Sequence, residues 1–495
     1  MLGPGWQESG LRKGYFPCLL CKPAARTMGI TGLWPILDPF SERVDLARYS
    51  VQYGFLPQYL KTRALHLGID ASVLLDGYSA ATIKYGRAQH HSAVDTALTQ
   101  LFTFLCQLSC APVQCTFVYD GDDRPAVKRG INVIRRQPLL YKKSRDLVNA
   151  FGFDVHNAAG DAEAELAVMN QLGIIDAILT RDSDVFPSVH NSKLIVDIYY
   201  ADVIENALGL THGGLILYPL LAGNDFDGGV KGFGSVTALA VAQCGYGNSL
   251  TTKNHSVIEL GQLKREISEE VKYNLHGKLR GREPACAQVL LDSKFPSMDS
   301  LNWFLHPPTS WSDRNLARAV DIAVPKLQLH KLQQIVAFCI AHIGWSPEMT
   351  LQKCRKKLWK GVIIRGLCSP LLSYGKASGQ LVSVDKEVLP YTDRKGRPLS
   401  NTNITTIIGC NPPNLTDKQS GDLVRVTFDI TDLNELTMLE ISEIPDALKK
   451  SLNVWVPFAI IAAATGQHHL IPSLSAHAPH SNTSKSGEQH IQQFI

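Results

Sequence analysis

Acidic side chains follow several apolar stretches in the N-terminal half of the sequence. Two strand-like runs end at Asp70 and Asp120, and Asp225 follows a third apolar stretch. Carboxylates at the ends of apolar strands are typical of a parallel α/β sheet whose C-terminal edge carries a metal site. The pattern therefore predicts that residues far apart in the chain share one acidic pocket.

Two short acidic clusters lie between these stretches. The first contains Asp161, Glu163 and Glu165, and the second contains Asp182 and Asp184 at the end of the apolar run 174–180. Oxygen ligands without Cys or His favour a hard cation, Mg²⁺ or Mn²⁺, over zinc. Together the acids predict a metal-dependent phosphodiesterase.

The composition is that of an ordinary globular protein, with 45% hydrophobic and 19% charged residues in a chain of 495. This length leaves room for roughly two to four domains. The net charge is only +4, so a nucleic-acid surface would have to be a local patch. No apolar run approaches the roughly 20 residues that span a bilayer, so no membrane association is predicted.

The two ends of the chain differ from the rest. Residues 1–27 have no long apolar stretch and make a poor transit peptide, so we predict a disordered extension upstream of a functional start at Met28. The Ser-, His- and Asn-rich residues 466–495 predict a disordered tail. Cys18 and Cys21 form an isolated CxxC pair, a weak zinc signal, whereas Cys106 and Cys339 lie in apolar helical patterns and are predicted to be buried thiols.

Hydrophobic periodicity predicts the elements that hold the acids. Apolar residues at helical spacing over 93–108 predict a core-facing helix, and residues 162–172 predict a helix that begins on acidic residues. Short strands are expected at 194–198 and 422–430. A glycine-rich turn at 228–234 leads into a helix that starts at Ser235.

Six motifs occur in one order along about 200 residues, and together they are highly specific. They are MGITGLW at 28–34, GIDAS at 68–72, FVYDG at 117–121, AGDAEAE at 159–165, LTRDSD at 179–184, and GND with GFG at 223–234. This combination resembles the XPG-type structure-specific 5′ nucleases, whose members include flap endonucleases and Holliday-junction resolvases. PAVKRG at 125–130 and ALAVAQCGYG at 238–247 are most similar to the fungal resolvase-like branch.

The resemblance implies the fold and the domain boundaries. It implies that residues 28–250 form an α/β, PIN-like core, which consists of a parallel sheet and a helical arch. This core would end in a helix–two-turn–helix hairpin at about 226–250. A mainly helical part would follow at 251–420, and a small β-rich domain at 421–465. That domain is similar to the chromo-like domain of some resolvases; the alternative is an unrelated β-rich appendage.

The resemblance also implies residue roles. Seven carboxylates fall on the family's metal ligands: Asp70, Asp120, Asp161, Glu163, Asp182, Asp184 and Asp225. Lys128 and Arg135 fall on the basic pair that contacts the scissile phosphate, and Gly29 falls beside the active site. Gly232, Phe233 and Gly234 fall on the hairpin, which grips duplex DNA and usually holds K⁺. Glu165 has no family counterpart and is expected only to complement the helix dipole.

Phosphodiester hydrolysis explains why such residues are needed. Two Mg²⁺ ions, for which Mn²⁺ can substitute, activate a water and stabilise the leaving oxygen. Seven clustered carboxylates could not all stay ionised without cations between them. Lys128 and Arg135 are seven residues apart, which would put both on one face of a helix.

Three functions are weighed. The first is a nuclear endonuclease that cuts branched DNA in repair and recombination, as a homodimer on four-way junctions. Its short segment between Asp120 and Asp161 favours junctions over the threaded flap of the second candidate, a flap endonuclease. The third is a catalytically weakened DNA-binding scaffold, since Asp161 stands where the family usually has Glu.

Overall fold

A computed structural model describes most of the chain. The described residues are 17–20, 30–57, 62, 64–85, 93–128, 131–132, 139–180, 194–251, 256–312, 326–369, 372–375, 380–383, 406–408, 422–430, 433–434 and 451–465.

Seven strands of the described residues form one sheet. They are β1 (Pro17–Leu20), β2 (Glu42–Asp45), β3 (Leu65–Asp70), β4 (Val113–Tyr119), β7 (Asp154–Asn157), β8 (Ala177–Thr180) and β9 (Ile195–Tyr200), and they lie in the order β2-β9-β1-β8-β3-β4-β7. The neighbouring strands β1, β8, β3, β4 and β7 pair in parallel. Strand β9 pairs antiparallel with both β1 and β2. Every residue of β3 and β4 is buried, as expected for parallel strands covered on both faces. The predicted parallel α/β core is confirmed.

Strand β1 lies inside the extension for which disorder was predicted, so that prediction is wrong for these four residues. Cys18, Leu19 and Leu20 pair with β8 on one side and with β9 on the other. The insertion satisfies backbone N–H and C=O groups that β8 and β9 would otherwise leave open toward each other. The remainder of residues 1–27 lies outside the described residues.

Four helices cover the parallel part of the sheet. They are α3 (Ala71–Tyr85), α4 (Ala93–Ser109), α5 (Leu139–Ala150) and α6 (Ala162–Gln171). Two short helices, α1 (Leu33–Leu37) and α2 (Leu46–Ser50), precede them in the chain. Helix α4 matches the predicted range, and it buries Leu98, Leu101, Phe102 and Leu105. The spacing of these residues at three and four positions makes one apolar face, which packs on the sheet.

The segment that was expected to form a helical arch begins as a β-hairpin. Strand β5 (Val127–Lys128) pairs antiparallel with β6 (Ile131–Asn132). The prediction of a helical face at Lys128 is therefore wrong, because the β-branched Val127 and Ile131 favour the extended conformation. Arg135 lies outside the described residues.

A second, helical layer follows the sheet and has its own hydrophobic core. It consists of α7 (Ala201–Leu208), α8 (His212–Ala222), α9 (Ser235–Ala242), α10 (Val257–Tyr273), α11 (Pro284–Asp292) and α12 (Met298–Leu305). The loop between α8 and α9 contains the predicted glycine-rich turn. Ser256 caps α10 through a capping box with Glu259, which fixes where that helix begins.

Three further helices return to the sheet: α13 (Leu332–Phe338), α14 (Pro347–Lys353) and α15 (Trp359–Cys368). Arg365 on α15 is fully buried. Its guanidinium donates to the Val113 carbonyl at 2.9 Å, to Gln114 Oε1 at 2.8 Å and to the Gln328 carbonyl at 2.6 Å. These bonds satisfy a buried charge and join α15 to the start of β4.

The β-rich part is larger than predicted. Strands β10 (Leu372–Gly375), β11 (Gln380–Ser383), β12 (Thr406–Ile408), β13 (Leu423–Asp429) and β14 (Ser451–Pro457) form one antiparallel sheet, followed by α16 (Phe458–Ala464). The predicted boundary at 421 therefore cuts through a sheet, and the helical part ends at Cys368. Strands of three or four residues are too short to show a period of two in the sequence.

Cys106 and Cys339 are buried, as predicted. Among the described helices, none combines the length and the apolar character that crossing a membrane would require.

Candidate metal-binding active site

Five of the seven predicted carboxylates meet at the C-terminal edge of the parallel strands. Asp70 is the last residue of β3 and Asp120 directly follows β4. Asp161 is the N-cap of α6, Glu163 lies in its first turn, and Asp225 lies in the loop after α8. The acids are also close enough to interact electrostatically. Asp120 and Glu163 both raise the pKa of Asp70, and Asp120 raises the pKa of Glu163.

Hydrogen bonds orient the acids on the two central strands. Asp70 accepts from the Val73 amide at 3.0 Å, which also caps helix α3. Asp120 Oδ1 accepts from the Ala162 amide at 3.0 Å, and its Oδ2 pairs with Arg124 at 2.9 Å. The bond from Ala162 holds the first turn of α6 against the end of β4, so the two acidic elements are fixed relative to each other.

Burial and neighbouring carboxylates raise the pKa values of Asp70, Asp161 and Glu163. Burial raises the pKa of Asp70 well above its usual range, and Asp120 and Glu163 add to the shift. Loss of hydration also raises the pKa of Glu163 to about 7; Lys128 opposes this shift, while Asp161, Asp225 and Asp120 reinforce it. A bound cation would reverse these shifts.

Lys128, like Arg124, contacts one of the clustered acids directly. Its Nζ lies 2.8 Å from Asp161 Oδ1 and 5.8 Å from the centre of the Phe226 ring. Although desolvation acts the other way, Asp161, Glu163 and Asp120 together raise the pKa of Lys128. The ammonium group therefore stays charged beside the acids.

The loop that carries Asp225 is held by its neighbours. Asn224 Oδ1 accepts from the Phe226 amide at 2.8 Å and from the Asp227 amide at 3.1 Å, an Asx turn. Asp227 in turn accepts from the Gly229 amide at 2.7 Å. These bonds give Asp225 a defined position at the start of the hairpin.

The hairpin presents backbone, not side chain, to its surroundings. Gly232 and Gly234 are exposed, and Gly232 has a φ of +94°, a conformation that favours glycine. No atom would meet a Cβ at Gly234. Phe233, by contrast, is 4% exposed and belongs to the core of the helical layer, so its side chain is not available to a ligand.

Four predicted site residues lie outside the described residues: Gly29, Arg135, Asp182 and Asp184. Asp182 and Asp184 directly follow β8, which is the parallel neighbour of β3. Their positions in the site therefore remain predictions.

Glu165 is a residue that the sequence analysis assigned too simple a role. It is fully buried. One carboxylate oxygen lies 2.6 Å from His156 Nε2 on β7, and the other accepts from the Ser310 amide at 2.9 Å. Glu165 thus joins α6 to the sheet and to the loop after α12. Ser310 is 145 residues away in the chain, so no local pattern could have indicated this link.

The donor set fits a hard divalent cation. Every acid in the cluster offers oxygen, and no Cys or His lies among the five. Mg²⁺ and Mn²⁺ prefer such ligands, whereas zinc sites usually contain nitrogen or sulphur. Asp70, Asp120, Asp161, Glu163 and Asp225 are the described residues that could hold the ions.

Comparisons with known proteins agree with this geometry. Residues 152–225 match the family model of the XPG I-region. DNA repair protein RAD2 of Saccharomyces cerevisiae is 29% identical over 218 residues, which are 42% of this chain and 20% of that protein. Flap endonuclease GEN-like 1 of Arabidopsis thaliana is 35% identical over 136 residues, 25% of this chain and 23% of that protein. The chain thus spans about a fifth of the length of each of these relatives.

The solved structure of the Holliday junction-resolving enzyme GEN1 with product DNA and Mg²⁺ superposes with a TM-score of 0.61 at 21% identity, covering 89% of this chain and 98% of that one. This similarity supports the fold. The chain is similar in sequence to XPG-type 5′ nucleases over its I-region, and its core has the PIN-like α/β fold. Within that class it shares sequence with both RAD2 and GEN-like relatives.

Proposed function

We propose that the protein is a Mg²⁺-dependent, structure-specific endonuclease that hydrolyses phosphodiester bonds in branched DNA during repair and recombination. The observation that carries the proposal is the convergence of Asp70, Asp120, Asp161, Glu163 and Asp225 at one sheet edge. A chromosomal substrate would place the enzyme in the nucleus.

The carboxylates would hold two Mg²⁺ ions, or Mn²⁺ in their place, together with Asp182 and Asp184 after β8. When bound, such a pair of ions supplies an activated water and stabilisation of the leaving oxygen. The protein contributes the fixed position of the acids. The bond between Asp120 and the Ala162 amide keeps β4 and α6 at a set spacing, so the ligands are preorganised for the ions.

Lys128 would provide positive charge for the phosphate. It is now paired with Asp161, and a phosphoryl oxygen beside the cluster would compete for its ammonium protons. Arg135 would act with it. Since Lys128 lies on a hairpin strand, it reaches the site from a β-hairpin and not from a helix.

The glycine-rich hairpin would bind the duplex away from the cut. Exposed backbone at Gly232 and Gly234 lets a phosphate approach closely, and contacts of this kind do not read bases. Carbonyl oxygens in the same loop would suit K⁺. The protein would therefore select its DNA substrate by shape. We propose that it recognises four-way junctions as a homodimer; the alternative substrate is a 5′ flap.

The test uses the full-length chain with labelled four-way junction and 5′ flap substrates side by side. Cleavage should require Mg²⁺ or Mn²⁺. Glu163→Gln and Asp182→Asn should each reduce cleavage at least about 100-fold, with junction affinity changed only a few-fold. Glu348→Gln is the matched control, since Glu348 is exposed and belongs to α14; its activity should be that of the wild type.

A weakened scaffold is the competing function, favoured by Asp161 in place of Glu and by residues upstream of Gly29. Tight junction binding without cleavage, both by the full chain and by one that begins at Gly29, would establish it. Loss of binding together with cleavage in Glu163→Gln would contradict the catalytic assignment.

A further inference from the structure

Three side chains with metal-ligating atoms meet in the helical layer, among residues that the nuclease proposal does not use. Cys244 lies two residues beyond α9, Glu270 lies in the last turn of α10, and His276 lies in the turn that follows α10. One ligand atom of each lies within 4.8 Å of the others. Sulphur, carboxylate oxygen and imidazole nitrogen are the donors of zinc sites.

Glu270 is the centre of this group and is fully buried. Its Oε2 lies 2.6 Å from His276 Nδ1 and accepts from the Tyr246 hydroxyl at 3.1 Å, while its Oε1 accepts from the His276 amide at 3.2 Å. A carboxylate with a hydroxyl donor behind it resembles the outer shell that orients metal ligands.

The turn after α10 brings His276 back toward Glu270. Asn274 has a left-handed conformation with a φ of 55°, and its side chain bonds to Leu279 through both its oxygen and its nitrogen, each at 3.1 Å. The position of His276 is therefore set by the backbone, and not only by its contact with Glu270.

The simpler explanation is a buried carboxylate paired with a histidine. That explanation accounts for Glu270 and His276 but not for Cys244, whose thiol donates to the Ala240 carbonyl at 3.2 Å and gives no hydrogen bond to the pair. Cys244 adds a soft donor to an oxygen and a nitrogen donor, which is the combination that separates zinc from Mg²⁺.

We propose that Cys244, Glu270 and His276 bind one Zn²⁺ ion, with water as the fourth ligand. Tetrahedral geometry at bond lengths of about 2.0 Å requires ligand atoms roughly 3.3 Å apart, so His276 Nδ1 must move away from Glu270 by less than 1 Å. Half of the His276 side chain is exposed, which leaves room for this movement. Binding releases the Cys244 thiol proton to solvent, and the proton between His276 Nδ1 and Glu270 is also lost to solvent, while neutral His276 carries its remaining proton on Nε2. Affinity therefore rises with pH.

The ion would join the end of α9 to the turn after α10. Helix α9 begins at the exposed Gly234 of the hairpin, so the ion would stiffen the element proposed to contact duplex DNA. The zinc site is independent of the carboxylate cluster, because it shares no residue with that cluster and includes sulphur and nitrogen ligands, which the cluster lacks. Zinc binding would stand even if the nuclease proposal failed.

Cobalt(II) is the probe, because a thiolate ligand gives an intense charge-transfer absorption that oxygen ligands do not. Full-length protein is stripped with a chelator and titrated with Co²⁺. We expect charge-transfer absorption that saturates at one equivalent and disappears on addition of Zn²⁺. Cys244→Ser should abolish it, and His276→Ala should weaken Zn²⁺ affinity at least about 100-fold. Tyr246→Phe should weaken Zn²⁺ affinity by about 10- to 100-fold.

Two controls separate this site from other thiols. Cys286→Ser removes another thiol that is not fully buried, and the double change Cys18→Ser with Cys21→Ser removes the CxxC pair. Both proteins should keep the absorption. Equal melting temperatures of wild type and His276→Ala in chelator would show that the exposed His276 is not needed for folding. Absence of the charge-transfer band in the wild type, or its survival in Cys244→Ser, would overturn the proposal.

Discussion

Glu165 should contribute more to stability than its place in an acidic helix turn suggests. Replacement by Gln keeps the volume of the side chain and removes its charge. The Gln oxygen can still accept from the Ser310 amide, which lies 2.9 Å from the carboxylate, and this bond becomes neutral. The Gln NH₂ group then faces His156 Nε2, 2.6 Å away, and can only donate to it, so this bond also loses its charge and reverses direction. A charge-assisted bond contributes about 1.5–3 kcal/mol and a neutral one about 0.5–1.5 kcal/mol.

The expected loss for Glu165→Gln is therefore about 2 kcal/mol. Glu165→Ala also leaves His156 and the Ser310 amide without their acceptor in a buried place, and it should cost about 3–5 kcal/mol. Glu165 lies between α6, β7 and the loop after α12, so both variants should also bind Mg²⁺ more weakly through the displacement of Glu163.

Urea unfolding in the presence of chelator measures the first effect without the metal. The pKa of Glu165 is lowered, because its bonds to His156 and Ser310 outweigh the opposing effect of burial. A carboxyl group whose pKa is lower in the folded than in the unfolded protein stabilises the fold. This stabilisation is complete above the pKa of the unfolded state, near 4.5, and is lost as the pH falls through the pKa of the folded state. The difference between wild type and Glu165→Gln should thus be full at pH 7 and shrink below about pH 4.5.

Two results would refute this reasoning. One is a difference of less than about 0.5 kcal/mol at pH 7, which would mean that the carboxylate is not bonded as described. The other is a difference that does not change down to pH 3, which would mean that the charge of Glu165 is not its cause.

Three other outcomes are expected. Gly68→Ala should destabilise by about 1–3 kcal/mol in urea, because its Cβ would overlap Leu166 and Ile175; Gly77→Ala, whose Cβ meets no atom, should be neutral or stabilising. Calorimetric Mg²⁺ affinity should rise with pH up to about 7 and then level off, since Glu163, with its pKa raised to about 7, must lose its proton to bind; a flat profile would contradict this. Lys128→Met should slow cleavage about 100-fold or more while Lys128→Arg keeps part of the activity, and equal rates in the two variants would argue against a role for the charge.

The sequence predicted the sheet edge well because its signals are local. The strand that ends at Asp70 was predicted over the range observed, and Asp120 directly follows the next strand, one residue beyond its observed end. Apolar runs that stop at an acid depend only on neighbouring residues, and burial on both faces of a parallel sheet makes such runs continuous.

Features that depend on distant partners were missed. Lys128 was expected on a helix because it is seven residues from Arg135, but its β-branched neighbours favour a hairpin. The bonds of Glu165 to His156 and Ser310, and the grouping of Cys244 with Glu270 and His276, involve residues that only the folded chain brings together. The strand at 17–20 was missed because four apolar residues have no period.

The described strands of the C-terminal sheet share a hydrophobic core with the central sheet. Val426, Phe428 and the buried residues of α16 belong to the same hydrophobic cluster as the central sheet and α15, and α16 contacts α15 directly. A transcript variant that stopped before Ser451 would uncover the face of α15 around Trp359, which is now fully buried. Such a shortened chain would expose apolar surface and become a target of cellular proteases and chaperones, so the C-terminal sheet is a structural part of the fold and not a removable appendage.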